Sequence, residues 1–271
     1  MIGQKRLLQE IDNLIDDFPA LTILIGQEGS GKKKVCEYIK DKLNILVCTA
    51  EDNKIETVRQ IIKQSYQTKV ATLFVFYDVD DMSLPSRHAL LKVSEEPPNN
   101  AHFLMTCKNE SSILDTIKSR AYILRMGDYT TSELLEYANT AYKFTDDEIS
   151  IIKNLSVVPG DIDKLQSIDM IAFYDYVHKV IDNIAEVSGA HSFKLADKLS
   201  LKEDAKGYDL QLFFRAFILI CLNNIKAEND NSRWGSGIKI TSRYLQDLQI
   251  SGISKKMLVD SWILDIRKEW S

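Results

Sequence analysis

The sequence predicts a doubly wound α/β domain with a parallel sheet, followed by a wholly helical region. Three observations predict it. Over residues 1–128, short β-branched apolar runs alternate with stretches whose apolar residues recur every three to four positions, the pattern of strand–helix–strand units. One strand-to-helix junction, Gly26-Gln-Glu-Gly29-Ser30-Gly31-Lys32-Lys33, is rich in glycine and ends on lysines. Beyond Met126 the strand signals stop and helical spacing takes over.

Each element has its own warrant. Leu7, Leu8, Ile11, Leu14 and Ile15 make Gln4–Ile15 an amphipathic helix. Leu21–Ile25, bounded by Pro19 and Gly26, reads as a buried strand. Val35, Cys36, Ile39 and Leu43 place a helix over Lys32–Leu43, and Asn44–Cys48 reads as the second strand. Ile55–Gln64 is helical, with Val58, Ile61 and Ile62 inward. Ala71–Tyr77 is almost continuously apolar, as a strand covered on both faces must be. Pro85–Glu95 reads as one helix, Ala101–Cys107 as a strand, Ile113–Ser119 as a short helix and Tyr122–Met126 as the last strand. Three short helices follow at Thr130–Tyr142, Thr145–Leu155 and Asp161–Ile168, with Thr131 and Thr145 as expected N-caps. Residues 171–271 read as helical throughout, with the clearest loop at Asn229–Gly237.

Composition narrows the function classes. The chain has 271 residues, about two domains by length. It is 45% hydrophobic and 27% charged, which excludes disorder as the main state. The longest uncharged apolar stretch, Ala216–Ile225, falls well short of the roughly 20 residues that cross a bilayer. Met1-Ile-Gly-Gln-Lys-Arg leads into a charged helical pattern rather than a secretory signal. The net charge of −5 argues against gripping nucleic acid over the whole surface, though a local basic patch stays open. Cys36, Cys48, Cys107 and Cys221 contain no C-x-x-C pair, which excludes a four-cysteine zinc module and favours reduced thiols in a cytoplasmic chain. His88, His102, His178 and His191 have no metal-ligand spacing, so no metal site is expected.

The glycine-rich junction is the strongest chemical signal. Gly26, Gly29 and Gly31 let successive N–H groups converge on phosphate oxygens, the helix start adds a favourable dipole, and Lys32 adds charge. A turn without nucleotide function is the alternative reading. The hydroxyl residue that would hold Mg²⁺ is replaced by Lys33, which cannot ligate a cation. A P-loop ATPase also needs carboxylates at the end of a neighbouring strand. The apolar run ends instead in Tyr77, with Asp78 and Asp80 off register and Asp81 or Ser83 as candidate caps of the next helix.

Residues 87–120 carry a more specific signal. Ala89-Leu90-Leu91-Lys92-Val-Ser-Glu95-Glu96-Pro97-Pro98, then Phe103-Leu-Met-Thr106, then Ile113-Leu-Asp-Thr116-Ile117-Lys-Ser119-Arg120, resemble the signature of bacterial DNA polymerase III clamp-loader AAA+ subunits. Ile2-Gly3-Gln4 resembles the opening motif of that family. The resemblance covers residues 1 to about 128 by motif and the rest by helix order. It implies a RecA-like AAA+ domain at 1–128, a helical lid at 129–170 and an oligomerising collar at 171–271.

It also implies roles. Ser119 and Arg120 match the Ser-Arg-Cys motif, with Ala121 replacing its cysteine; in the family this arginine reaches a neighbouring subunit's nucleotide as an arginine finger. Lys33 and Tyr77 depart from the ATPase pattern, Asp163 stands where the lid's sensor arginine would be, and Cys107 and Lys108 fall near the polar sensor. No zinc insertion lies between Leu43 and Ile55. A retained finger beside a degraded site resembles the delta-prime stator. Implied partners are the ATPase subunits, the clamp-opening subunit, the sliding clamp and primer–template DNA, with no membrane. ATP or ADP held without Mg²⁺-dependent hydrolysis is the open cofactor reading. Lys63, Lys69, Arg87 and Lys92 are candidate DNA-facing residues that a solvated helix face explains equally well. The rival functions are an active ATPase subunit, with Lys32 on the phosphates and Asp78 or Asp80 on Mg²⁺, and a DNA-repair AAA+ adaptor.

Overall fold

A computed structural model describes residues 2–184, 208–227, 232–248 and 253–270. The chain divides into two compact units, Met1–Glu133 with Val158–Gly160, and Leu134–Val157 with Asp161–Ser271.

In the first unit the elements run α1 (Lys5–Leu14), β1 (Leu21–Ile25), α2 (Lys32–Leu43), β2 (Leu46–Thr49), α3 (Ile55–Gln67), β3 (Thr72–Phe76), α4 (Leu84–Ala89), α5 (Leu91–Glu95), β4 (Ala101–Cys107), α6 (Asp115–Lys118) and β5 (Tyr122–Arg125). The strands form one sheet in the order β2-β3-β4-β1-β5, and every pairing is parallel. Side chains alternate across it, as a period of two requires. Phe74 and Phe76 of β3 join Ile23, Phe103 and Met105 under α3, α5 and α6, while Leu73 and Val75 join Leu24, Leu104 and Leu124 under α1 and α2. This is the predicted doubly wound sheet, with β3 buried throughout.

The second unit is helical where described. Part of α7 (Thr131–Ala141), α8 (Asp146–Leu155) and most of α9 (Pro159–Gln166) precede α10 (Met170–Asn183), α11 (Leu210–Ala227), α12 (Ser232–Asp247) and α13 (Lys255–Trp270). Its core is aromatic. Phe213, Phe214 and Phe217 surround Trp262 at centroid distances of 5.1–5.6 Å, and Trp262 Nε1 donates to buried Thr241 Oγ1 at 3.0 Å. No helix among the described residues is long and apolar enough to cross a membrane.

Several expectations need correction. The single helix at Pro85–Glu95 is two, because the chain tightens at Leu90, whose N–H bonds to Arg87 O, and α5 restarts at Leu91. The second strand starts at Leu46 rather than Asn44, because Asn44 closes α2 in the left-handed region (φ 49°). The short helix at Ile113–Ser119 is confined to Asp115–Lys118, with a 3-10 turn at Glu110–Ser112 before it. Thr130, not Thr131, accepts from Glu133 N, whereas Thr145 forms a full capping box with Glu148. The expected loop at Asn229–Gly237 is helical from Ser232 onward, its first three residues lying outside the described ones. Turn composition loses there to packing: Trp270 Nε1 donates to Arg233 O, and a Cβ on Gly237 would lie 2.6 Å from the Trp270 ring. Other parts of the helical reading over 171–271, including residues 185–207, also lie outside the described residues.

Candidate functional site

The glycine-rich loop leaves the carboxyl end of β1, where Gly26 N donates to Cys107 O, and enters α2 through Gly31. Gly29 and Gly31 have φ of +75° and +90°, a region nearly closed to side chains. Ser30 Oγ donates to Gln27 O at 2.7 Å. Lys32 is buried; its Nζ donates to Gly26 O (2.8 Å) and Gln27 O (3.1 Å) and lies 4.0 Å from Asp78 Oδ1. Burial pulls its pKa down, against the opposing pull of Asp78 and Asp80. Two contacts absent from any motif hold the loop from outside. Tyr129 Oη donates to Ser30 O at 2.8 Å, and Gly160 N donates to Gly29 O at 3.0 Å. Gln4 pairs its side-chain amide with both backbone groups of Gly127, tying the opening motif to this region.

At the end of β3, Tyr77 lies among the ammonium groups of α2. Lys33 Nζ lies 5.6 Å from the centroid of the Tyr77 ring, and Lys40 Nζ lies 5.6 Å from the same centroid while donating to Tyr77 Oη at 3.1 Å. The two departures from the ATPase pattern therefore meet in space as a cation–π pair. Neither residue offers an anionic oxygen, and an ammonium repels a divalent cation, so residues 33 and 77 do not fit Mg²⁺. Asp78 sits in the left-handed region (φ 49°) and its N–H donates to Thr106 Oγ1. Asp80 is buried and accepts Lys108 N at Oδ2, and Asn109 N and Ser112 Oγ at Oδ1. Lys108 Nζ bridges Glu28 and Asp81, each at 3.7 Å. Beside it, burial pushes the Cys107 thiol up to about 12. Ser83 caps α4 by accepting Ser86 N.

Ser119 and Arg120 follow α6, and both are exposed. Arg120 Nη1 and Ser119 Oγ both donate to Thr116 O, and Arg120 forms no ion pair with a carboxylate among the described residues. Topology separates them from the loop. Arg120 precedes β5, whereas Gly26 follows β1, and these parallel strands pair from Thr22↔Tyr122 to Ile25↔Arg125. About 10 Å of sheet, at roughly 3.3 Å per residue, stands between the two ends, with loops beyond each. The structure thus brings Gly26–Lys33, Asp78 and Lys108 together at the carboxyl end of the strands and puts Arg120 at the amino end, before β5. In the second unit, Asp163 accepts from Tyr137 and Tyr142 at one oxygen. Of the suggested DNA-facing residues, Arg87 is bonded to Met82 O and Ser112 O, and Lys92 lies over the Tyr66 ring.

A five-stranded parallel sheet with a glycine loop at the carboxyl end of an inner strand defines a P-loop α/β fold. Residues 27–130 match the family described as DNA polymerase III, delta subunit. The DNA polymerase III subunit gamma of Buchnera aphidicola from Acyrthosiphon pisum is 25% identical over 76% of this chain and 68% of its own. The delta' subunit of Yersinia pestis is 30% identical over 44% and 43%, and the replication factor C small subunit of Halobacterium salinarum 27% identical over 56% and 53%. The chain spans about 43–68% of the length of the curated relatives it matches. In fold it is similar to a DNA polymerase III gamma-related protein of Thermotoga maritima (TM-score 0.50, 14% identity, 98% of this chain and 100% of that one) and to a RuvB variant of the same organism (TM-score 0.50, 12% identity, 96% and 82%). Over residues 27–130 the chain thus resembles the DNA polymerase III delta subunit family, and over longer stretches it is similar to DNA polymerase III gamma and replication factor C small subunits.

Proposed function

We propose that this protein is a delta-prime-like subunit of a sliding-clamp loader acting in DNA replication, which does not hydrolyse ATP itself and supplies Arg120 to the nucleotide of an adjoining subunit. The observation that carries the reading is the position of Arg120: exposed, without a carboxylate partner among the described residues, and at the end of the strands opposite its own glycine loop. A guanidinium there serves a phosphoryl group only in another chain. The Lys33–Tyr77 contact supports the other half, since it replaces both metal-holding positions. In this reading residues 1–128, 129–170 and 171–271 act as AAA+ domain, lid and collar. The partners are the ATPase and clamp-opening subunits, the clamp, and primer–template DNA reached through the assembly. ATP or ADP bound without Mg²⁺ is compatible with the retained loop conformation at Gly29 and Gly31.

The test is DNA-stimulated ATP hydrolysis by a reconstituted loader containing this subunit or its Arg120→Ala form. Removing an arginine finger costs about 10³-fold at the site it serves. Such a fall with the assembly intact is expected. Unchanged turnover refutes the in-trans role, and Mg²⁺-dependent turnover by the isolated chain refutes the non-hydrolysing one.

A further inference from the structure

Asp80 is a buried carboxylate, 6% exposed, in a turn between β3 and α4 whose Val79 and Met82 are buried with it. Buried carboxylates need compensation, and this one has three donors from a single stretch of chain. Lys108 N reaches Oδ2 at 2.7 Å, while Asn109 N at 3.1 Å and Ser112 Oγ at 2.6 Å reach Oδ1. Arg87 holds the same stretch from its other side, with Nη1 on Ser112 O at 2.7 Å and Nε on Met82 O at 3.1 Å. From Ser112 the chain runs through buried Ile113 and Ile117 into α6 and ends at Ser119-Arg120. At the other end, Asp80 lies two residues past Asp78, and Lys108 reaches Glu28 of the glycine loop.

We infer that Asp80 is a positioning residue: its carboxylate, with the Arg87 guanidinium, sets the 108–112 turn and thereby the place from which Arg120 projects. This rests on the in-trans reading of Arg120. It assigns an acidic residue at the strand end to hydrogen bonding rather than to metal binding, since both oxygens accept from the turn. It also places the glycine loop and the Arg120 segment on one bonded network within a single unit. Charge-assisted bonds to backbone N–H groups are strong and directional. Asp80→Asn turns one acceptor oxygen into an NH₂ that faces these donors, so the turn must shift.

The experiment compares Asp80→Asn, Arg120→Ala and the double variant in the reconstituted loader, with Ile61→Val, a core change away from the network, as a stability control. The expected result is a fall in DNA-stimulated ATP turnover of up to about 10²-fold for Asp80→Asn, the cost of misplacing a catalytic group. It should bring no further fall on the Arg120→Ala background, and Ile61→Val should change little. Hydrogen exchange of the isolated subunit should show loss of protection at the Lys108 and Asn109 amides. If Arg120→Ala lowers turnover but Asp80→Asn does not, or if the two effects multiply, the positioning role is overturned and the finger stands. If Arg120→Ala leaves turnover unchanged, the finger reading falls and this inference with it. Unchanged exchange at residues 108 and 109 overturns the bonding role whatever the turnover.

Discussion

Replacing Gly160 by alanine tests the contact between the glycine loop and the start of α9. A Cβ at position 160 would lie 2.5 Å from Gly29 Cα and 3.1 Å from Gly29 O, both backbone atoms. Ordinary carbon contacts are about 3.5–4.0 Å, so one backbone must move by roughly 1 Å. Overpacking of this kind costs about 1–3 kcal/mol, and loss of the Gly160 N–Gly29 O bond adds about 1 kcal/mol. Opposing these, alanine is favoured over glycine in a helix by up to about 1 kcal/mol. The net expectation is ~1–3 kcal/mol of destabilisation in the first unit. At roughly 3 °C per kcal/mol for a domain of this size, Tm falls by ~3–9 °C. The assay is thermal unfolding followed by far-ultraviolet circular dichroism, because Trp234, Trp262 and Trp270 all lie in the second unit and report that unit by fluorescence. Gly235→Ala supplies the internal comparison, since nothing lies within 4 Å of a Cβ there; it should be neutral or stabilising. The sign decides the matter. If Gly160→Ala raises Tm, as a helix substitution without a clash would, the loop–α9 contact does not exist as described.

Two further perturbations follow from the site and the helical unit. Burial raises the pKa of Asp209, but the Lys164 ammonium at 2.9 Å and the Leu212 N–H outweigh it and hold the carboxyl below its ordinary value of 3.8. A depressed folded pKa stabilises above the unfolded value and ceases to do so as pH falls through the folded one. The urea midpoint read by tryptophan fluorescence should therefore drop on acidification below about pH 4, and less steeply in Asp209→Asn; parallel curves would show that the pair is not responsible. The double change Lys33→Thr with Tyr77→Asp restores a hydroxyl and an acid at the positions now joined by the cation–π contact. It should make ATP binding at least about tenfold tighter, about 1.4 kcal/mol, with Mg²⁺ than with a chelator. Calorimetry showing no Mg²⁺ effect would mean that these two residues are not what excludes the metal.

The sheet was legible in the sequence because its signal is local. Ala71–Tyr77 cannot be solvated on either face, and the β-branched runs between helical stretches admit only crossover connections and hence parallel pairing. The glycine loop and the Ser119-Arg120 turn were equally legible, since backbone freedom and charge at fixed spacing are properties of a short segment. Several things were not. Whether Pro85–Glu95 is one helix or two depends on a backbone bond at Leu90, and whether Ser232–Gly237 is loop or helix depends on Trp270 seating against Gly237. Lys33 and Tyr77 each read as a missing ligand, yet their meeting spans 44 positions of chain. Asp80 read as an off-register carboxylate with Mg²⁺ as a rival role until the fold supplied Lys108, Asn109 and Ser112 as donors. Residue type and spacing therefore established the parallel sheet and the helical region, and offered the glycine-rich turn and Arg120 as candidates. Only the packed chain decided that Arg120 lies at the end of the strands opposite its own loop, that Lys33 and Tyr77 meet as a cation–π pair, and that Asp80 is spent on the turn. The reason is physical: periodicity and backbone freedom are written within a few residues, whereas the partner of a buried charge is chosen by whatever the sheet brings beside it.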